Sequence, residues 1–310
     1  MDNNQKVNEI AGKLLGKKGG EGYSSQYDPS LLVKVPRYLN REGYGIYEDA
    51  LPFYGFDIWN GYEVTALTEK GLPVAGVMKI SIPCNTQWHP ESKSIKMYIN
   101  SFAMTKYGKT EKECVDWIER TVKADLNDLL DPDLRRVQVK IFTKDTDEKN
   151  ACNSLLTAKQ VESLDELGNV DDLEFTDYNM NPNLLEDDSS DFLFVKSNKL
   201  RSACRVTHQP DHGTVYIYMN GYLNGKKVPT KESLLKFIVS FRNEFHFHEE
   251  ICEAIYKTLQ DKYHPTSLIV ACNYTRRGGW DINPIRANHL NLIPTEWSTV
   301  DQMLKKTIKQ

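Results

Sequence analysis

The sequence predicts an α+β fold of two tandem antiparallel-sheet modules, each carrying a pair of helices. Three observations lead there. Two segments, ESKSIKMYINSF at 91–102 and TKESLLKFIVSF at 230–241, resemble each other when their Ser-Phe pairs are superimposed. Each is preceded by two strand-like runs with turn-forming residues between them. Each is followed by a second amphipathic helix and one further strand. The unit strand–strand–helix–helix–strand therefore occurs twice, and strands joined by a short turn pair antiparallel.

In the first copy, YEVTALT (62–68) and VAGVMKISI (74–82) flank Glu69-Lys70-Gly71-Leu72-Pro73, a hairpin in outline. Ile95, Tyr98, Ile99 and Phe102 then fall at i, i+3, i+4 and i+7, the apolar stripe of a helix. Ser92, shortly after Pro90, is the expected start signal. A second helix is expected over Glu111–Leu129 and a strand over Arg136–Phe142. In the second copy, SACRVT (202–207) and TVYIYMNGY (214–222) flank an expected turn at Gln209–Gly213. Leu234, Phe237, Ile238 and Phe241 repeat the apolar stripe, with Thr230 after Pro229 as start signal. A helix over His248–Asp261 and a strand over Ser267–Asn273 complete the unit. The stretch from Asp145 to Ser190 is acidic and irregular, and reads as a linker lying over the surface. The expected modules are 1–150 and 191–310, joined by the linker at 151–190.

Composition narrows the function classes. With 40% hydrophobic residues in 310 positions, the chain can bury a substantial core. Its 39 basic and 43 acidic side chains leave a formal charge of -4, which argues against direct nucleic-acid binding over an extended face. Met1–Gly20 is polar and lacks the apolar stretch of a signal peptide. No apolar run approaches the roughly 20 residues of a membrane span. The six cysteines (Cys84, Cys114, Cys152, Cys204, Cys252, Cys272) are scattered without a CxxC pair, as in a cytoplasmic protein with reduced thiols. No GxGxxG follows a strand, so a Rossmann site is not supported. The glycine-rich run Gly16–Gly22 lacks strand context and reads as a loop.

The two copies differ in their chemistry-bearing residues. Cys204 lies between Arg201 and Arg205, a setting that favours the reactive thiolate, and seven residues before Asp211. The bland alternative is a small buried hydrophobe, which is the reading for the other five cysteines. His246 and His248 suggest metal ligation with Cys204 as a third ligand. Glu249 suits a second role, accepting two hydrogen bonds from the N–H and NH2 edge of a guanine-like ring bordered by Phe247 and His248. Glu249 in the first turn of a helix is also an ordinary dipole partner. Ser92 and Lys93 at a helix start, and Arg276-Arg277-Gly278-Gly279 after a strand, both suit a phosphate.

These residues, in this order, resemble the two-module form of the QueF family of nitrile reductases. The family signature Glu-Ser-Lys-Ser, apolar, Lys is matched from Glu91 to Lys96. The likeness extends over LPFYGFDIW (51–59), CRVTHQPD (204–211), SFRN with FHE (240–249) and YTRRGGWDINPIR (274–286). Ile95 and Met97 within the motif, Pro90 before it and the spacing of FHE from SFRN depart slightly, and the linker matches poorly. The resemblance implies the tunnelling fold, with a homodimer completing the assembly. It implies NADPH-dependent reduction of 7-cyano-7-deazaguanine to the aminomethyl compound, a step of queuosine biosynthesis for tRNA modification. Cys204 is then the nucleophile, forming a thioimide, and Asp211 the proton donor. Pro90, Glu91, Ser92, His248 and Glu249 hold the deazaguanine; Ser92, Lys93, Arg277 and Gly278 hold NADPH; no metal is required. Two rivals are a zinc-dependent purine or pterin hydrolase of the same fold, with His246, His248 and Cys204 as ligands, and a non-catalytic purine- or RNA-binding module.

Overall fold

A computed structural model describes residues 24–143, 161–205, 208–221 and 227–304. The Gly16–Gly22 run, the first part of the linker, Cys152, and Val206 and Thr207 of the Cys204–Asp211 run lie outside the described residues. The strands are β1 (Lys34–Pro36), β2 (Tyr54–Leu67), β3 (Pro73–Pro83), β4 (Trp88–Pro90), β5 (Gln138–Phe142), β6 (Glu162–Ser163), β7 (Phe192–Cys204), β8 (Pro210–Asn220), β9 (Phe245–His246), β10 (Ser267–Tyr274) and β11 (Trp280–Ala287). The helices are α1 (Tyr38–Arg41), α2 (Ser92–Asn100), α3 (Glu111–Leu130), α4 (Lys231–Ser240), α5 (His248–Tyr263) and α6 (Thr295–Ser298). The expected α+β architecture is present, with both hairpins and both helix pairs.

The two modules share one sheet. Its nine strands run β5-β3-β2-β11-β10-β8-β7-β6, with β9 added beside β7. The junction is β2 with β11, paired antiparallel from Tyr54↔Ala287 to Gly61↔Trp280. The sheets of the two copies are thus continuous. They merge because WDINPIR forms an extra strand after the second copy and LPFYGFDIW extends β2 towards it.

Helices cover one face of this sheet. Trp59, Met78 and Ile80 of the sheet share a core with Ile95 and Tyr98 of α2, Phe102 just after it and Ile118 of α3. Val215, Ile217 and Val270 of the sheet share a core with Leu234 and Phe237 of α4 and Ile251 and Ile255 of α5. The opposite face packs Ile58, Ile269 and Ile285 against Ile293, Trp297 and Leu304 of the C-terminal segment. There the buried Lys79 donates to the carbonyls of Glu296 at 2.6 Å and Gln302 at 2.5 Å, clamping the segment.

Two local expectations need correction. The residue capping α2 is Glu91, not Ser92: its carboxylate accepts from the backbone N–H of Lys93 at 3.0 Å and of Ser94 at 2.7 Å. A longer acidic side chain reaches both free N–H groups, and the positive end of the helix favours its charge. Thr230 does cap α4, accepting from the Ser233 N–H. Thr230→Ala should therefore destabilise the protein by about 1 kcal/mol in urea unfolding.

The second correction concerns Gln209–Gly213. Pro210 opens β8, and Asp211 is paired with Ser202 of β7. Proline is tolerated at a strand start because no ladder donor is needed there. The register then matters chemically. Ser202 and Cys204 are two apart on one strand and share a face, and a cross-strand partner shares that face too. Cys204 and Asp211 thus both point to the helix side. The described part of the linker is irregular, as expected, yet anchored: β6 pairs with β7, and Leu164 and Leu185 are buried under the second module.

Candidate active site

Two helix N-termini, one from each module, face each other across the helix side of the sheet. Between them lies a cavity with about 520 Å³ of empty space, including its open mouth. The start of α2 contributes Pro90, Ser92 and Lys96, and the start of α5 contributes Phe247, His248 and Glu249. The sheet supplies Cys204 from β7, Asp211 from β8, and Trp59, Trp280 and Ile282 as an apolar floor; Arg277 comes from the β10–β11 turn.

Of the site residues expected from sequence, Cys204, Asp211, Pro90, Ser92, His248, Glu249 and Arg277 meet here. Glu91, Lys93 and Gly278 are not among the lining residues. Glu91 is buried as the α2 cap. Gly278 is exposed beside the cavity with φ +56°, and a Cβ there would stand 2.7 Å from Lys96 Nζ. That lysine donates to the Arg277 carbonyl at 2.7 Å. One side chain of the first module thus fastens the Arg277 turn of the second.

Cys204 ends β7, half-buried, with its N–H donating to the Gln209 carbonyl. The flanking arginines have other partners. Arg201 donates to the Arg242 carbonyl, and Arg205 is bound to Asn40, His246 and Glu250. Thiolate formation through these two guanidiniums, expected from their spacing, is not what the contacts show.

Asp211 is the acid nearest in register. Burial works against its charge, but the hydrogen bond and charge of His248, and then the charge of Arg277, outweigh it and hold the carboxyl below its usual range. His248 Nε2 stands 3.4 Å from Asp211 Oδ2, and its ring stacks on Tyr274 at 3.8 Å. Arg277 Nη1 stands 3.0 Å from Asp211 Oδ1. No N–H of Nη1 is aligned on an acceptor, so the pair is held by charge rather than by a directed hydrogen bond.

Glu249 is the opposite case. Burial, then the charge of Asp57, push its carboxyl up to about 8, against the pull of Arg37. Its Oε1 is buried with no hydrogen-bond partner, and His89 Nδ1 is 4.0 Å away. Behind it lies a buried charge network that joins the modules: Arg37–Asp57, Asp57–Arg286, Arg286–Glu253 and Arg41–Glu253, each at 2.7–2.8 Å. Glu249 and Glu253 are one helical turn apart, so the network fixes the surroundings of the free acceptor.

The zinc reading is not favoured. His246 Nε2 meets Tyr44 Oη and Glu244 at 3.0 Å, and its Nδ1 stands 3.4 Å from Glu250 Oε1. Burial disfavours its charge, yet Glu244 and Glu250 outweigh that and raise it to about 9. A protonated ring with both nitrogens engaged is a poor metal ligand. Among the described residues, no helix is long and apolar enough to cross a membrane.

Residues that sequence reasoning gave no role include Lys96, His89, Trp59, Trp280 and Ile282. Lys96 closes the quoted Glu91–Lys96 motif and falls at i+4 from Ser92, on the same helix face. A charge at Asp57, within the apolar run Phe56-Asp57-Ile58-Trp59, was the available sign of the buried network.

Comparisons with known proteins agree across both modules. Residues 23–141 match the family model described as "Nitrile reductase, 7-cyano-7-deazaguanine-reductase N-term", and residues 210–291 match that described as "QueF-like protein". An NADPH-dependent 7-cyano-7-deazaguanine reductase of Colwellia psychrerythraea is 34% identical over 300 residues, which cover 95% of this chain and 98% of that protein. A solved structure, the archaeosine synthase QueF-Like in the apo form, is 17% identical and covers 34% of this chain and 100% of its own, with a TM-score of 0.29.

Proposed function

The chain belongs to the family of NADPH-dependent 7-cyano-7-deazaguanine reductases, and from that premise we propose that it reduces 7-cyano-7-deazaguanine to 7-aminomethyl-7-deazaguanine through a covalent thioimide on Cys204. The observation that carries the residue assignments is the single cavity in which Cys204, Asp211, His248, Glu249, Ser92 and Arg277 converge from both modules. Glu249 accepts from the N–H and NH2 edge of the ring, with Phe247 and His248 bordering it and Pro90 and Ser92 closing the other side, where Glu91 holds the start of α2. Ser92, Lys93, Arg277 and Gly278 take the cofactor. The residues fit a phosphate-bearing group: the Arg277 side chain is 38% exposed, its Nη1, buried beside Asp211, lacks an aligned acceptor, and Lys96 lines the same cavity.

A nitrile carbon accepts hydride poorly until a nucleophile has added to it. Cys204 Sγ forms the bond to that carbon as one π bond of the nitrile opens. The thiol proton passes to Asp211 and on to the nitrile nitrogen, leaving the thioimide and an ionised Asp211. NADPH, when bound, supplies hydride in two successive rounds. Between them the carbon–sulfur bond breaks, Cys204 regains its thiol with one proton drawn from solvent, and the walls of the cavity shield the imine from hydrolysis. A homodimer in the cytoplasm, serving queuosine biosynthesis, belongs to the same reading. Incubation of the pure protein with nitrile and NADPH should give the aminomethyl product by mass spectrometry. Cofactor oxidation without that product would remove the assignment.

Two binding predictions follow from the geometry. Arg277→Ala should raise the Michaelis constant for NADPH roughly tenfold or more, since charge-assisted contacts contribute about 1.5–3 kcal/mol. An unchanged constant would take Arg277 out of the cofactor site. The second concerns pH. Glu249, raised to about 8, is neutral in the free protein at pH 7 but must be ionised to accept from the ring. Ring binding then releases a proton, so affinity rises by about tenfold per pH unit below 8 and levels off above it. Isothermal titration of Cys204→Ala between pH 6 and 9 reads this slope, and Glu249→Gln should lose both the affinity and the slope. A flat profile in Cys204→Ala would place the ring elsewhere.

A further inference from the structure

We propose that Arg277 is a positioning residue that alternates between two anions, the Asp211 carboxylate in the free protein and a phosphate of NADPH in the loaded one, so that cofactor arrival converts Asp211 from a proton acceptor into a proton carrier. The proposal rests on the reading above that Arg277 meets the cofactor.

The reaction makes opposite demands on one carboxyl. Thioimide formation is proton-neutral: the thiol loses a proton and the nitrogen gains it, and the relay begins with an ionised Asp211. Each hydride transfer, in contrast, consumes a proton. Hydride adds to carbon, the nitrogen needs a proton to become neutral, and the sum for two rounds is one nitrile, two NADPH and two protons giving one amine and two NADP+. A carboxyl held ionised throughout serves the first step and obstructs the others.

The geometry supplies a switch between these states. Asp211 is faced by His248 and Glu249 from α5, by Cys204 from β7, by Tyr274 and Arg277 from β10 and the turn after it, and by His212 from its own strand. Of its two partners, His248 is stacked on Tyr274 and only 13% exposed, so it is fixed in place. Arg277 is 38% exposed as a side chain, and its Nη1, buried against Asp211 at 3.0 Å, lacks hydrogen-bond alignment. It is the partner that can leave. Its backbone is meanwhile held by Lys96 at the carbonyl and by the paired N–H of Arg277 and carbonyl of Trp280 at 2.8 Å. The side chain can therefore swing without the turn moving. Drawn to a phosphate, the guanidinium no longer favours the Asp211 charge, and the buried carboxyl takes up a proton.

Calorimetric titration of the full chain with NADP+ in buffers of differing ionisation enthalpy counts that proton. The wild type should take up a fraction of a proton per NADP+ bound that Asp211→Asn does not. Arg277→Gln should bind NADP+ at least tenfold more weakly, and its cofactor-free thioimide formation should show an acid limb moved to higher pH, towards that of wild type saturated with NADP+. Equal uptake by wild type and Asp211→Asn, with Arg277→Gln binding weakened, would overturn the exchange while leaving the cofactor site in place. Wild-type affinity in Arg277→Gln would overturn both.

Discussion

Replacing Cys204 with Ala is expected to abolish nitrile reduction and adduct formation together. If Cys204 attacks before any hydride moves, wild-type protein mixed with nitrile alone should gain the mass of one whole nitrile molecule, because addition expels nothing. Cys204→Ala should gain none. Cys204→Ser should gain little, since a serine hydroxyl is far less acidic than a thiol and hardly ionises near neutrality. NADPH added to preformed wild-type adduct should discharge the mass and release amine. Five cysteines lie among the described residues, and the other four (Cys84, Cys114, Cys252, Cys272) are buried, so a mass gain that persists in Cys204→Ala has no ready alternative carrier there. Appreciable turnover by Cys204→Ala would mean that the thioimide is off the pathway.

Asp211→Ala is expected to bind nitrile and to form adduct about 10²–10⁴-fold more slowly, the usual contribution of a positioned acid–base group. The carboxylate lies on the face that carries Cys204, paired in register with Ser202. Its charge is maintained by His248 and Arg277 against burial, so in the free protein it is a proton acceptor. The resemblance implied a proton donor. Both descriptions hold if the proton it donates to nitrogen is the one it has taken from the thiol. Stopped-flow measurement of adduct formation separates this from a binding defect: the rate at saturating nitrile should fall while the nitrile concentration giving half the maximal rate changes little. A wild-type rate in Asp211→Ala would assign the relay to another group, with His248 the nearest.

Much of the fold could be read from periodicity. The apolar stripes at Ile95–Phe102 and Leu234–Phe241 place α2 and α4 within three residues at each end, because a repeating stripe facing a sheet is a local signal. The fusion of the modules could not be read that way. It depends on β11 pairing with β2, strands separated by more than 200 residues, and on a network whose four bridges are invisible to spacing. The strand role of Pro210 was hidden because Pro-Asp is also a turn signal, and only the β7 register decides between them. Within the site, residue types pointed to Cys204, Asp211, Glu249 and Arg277. Their mutual arrangement did not follow: the arginines flanking Cys204 in sequence are bound elsewhere, and Arg277, far from Cys204 in sequence, is the one beside Asp211. Lys96 closes the Glu91–Lys96 motif, and its role comes from a contact remote in sequence, the Arg277 carbonyl.

The stoichiometry of cofactor oxidation tests the central claim most directly. With a limiting, known amount of 7-cyano-7-deazaguanine and excess NADPH, the total fall in NADPH absorbance should correspond to two cofactors oxidised per nitrile consumed, with the aminomethyl compound as the sole product. One cofactor per nitrile, or loss of the nitrile with no cofactor oxidised, would contradict a four-electron reduction and with it the function proposed for this cavity.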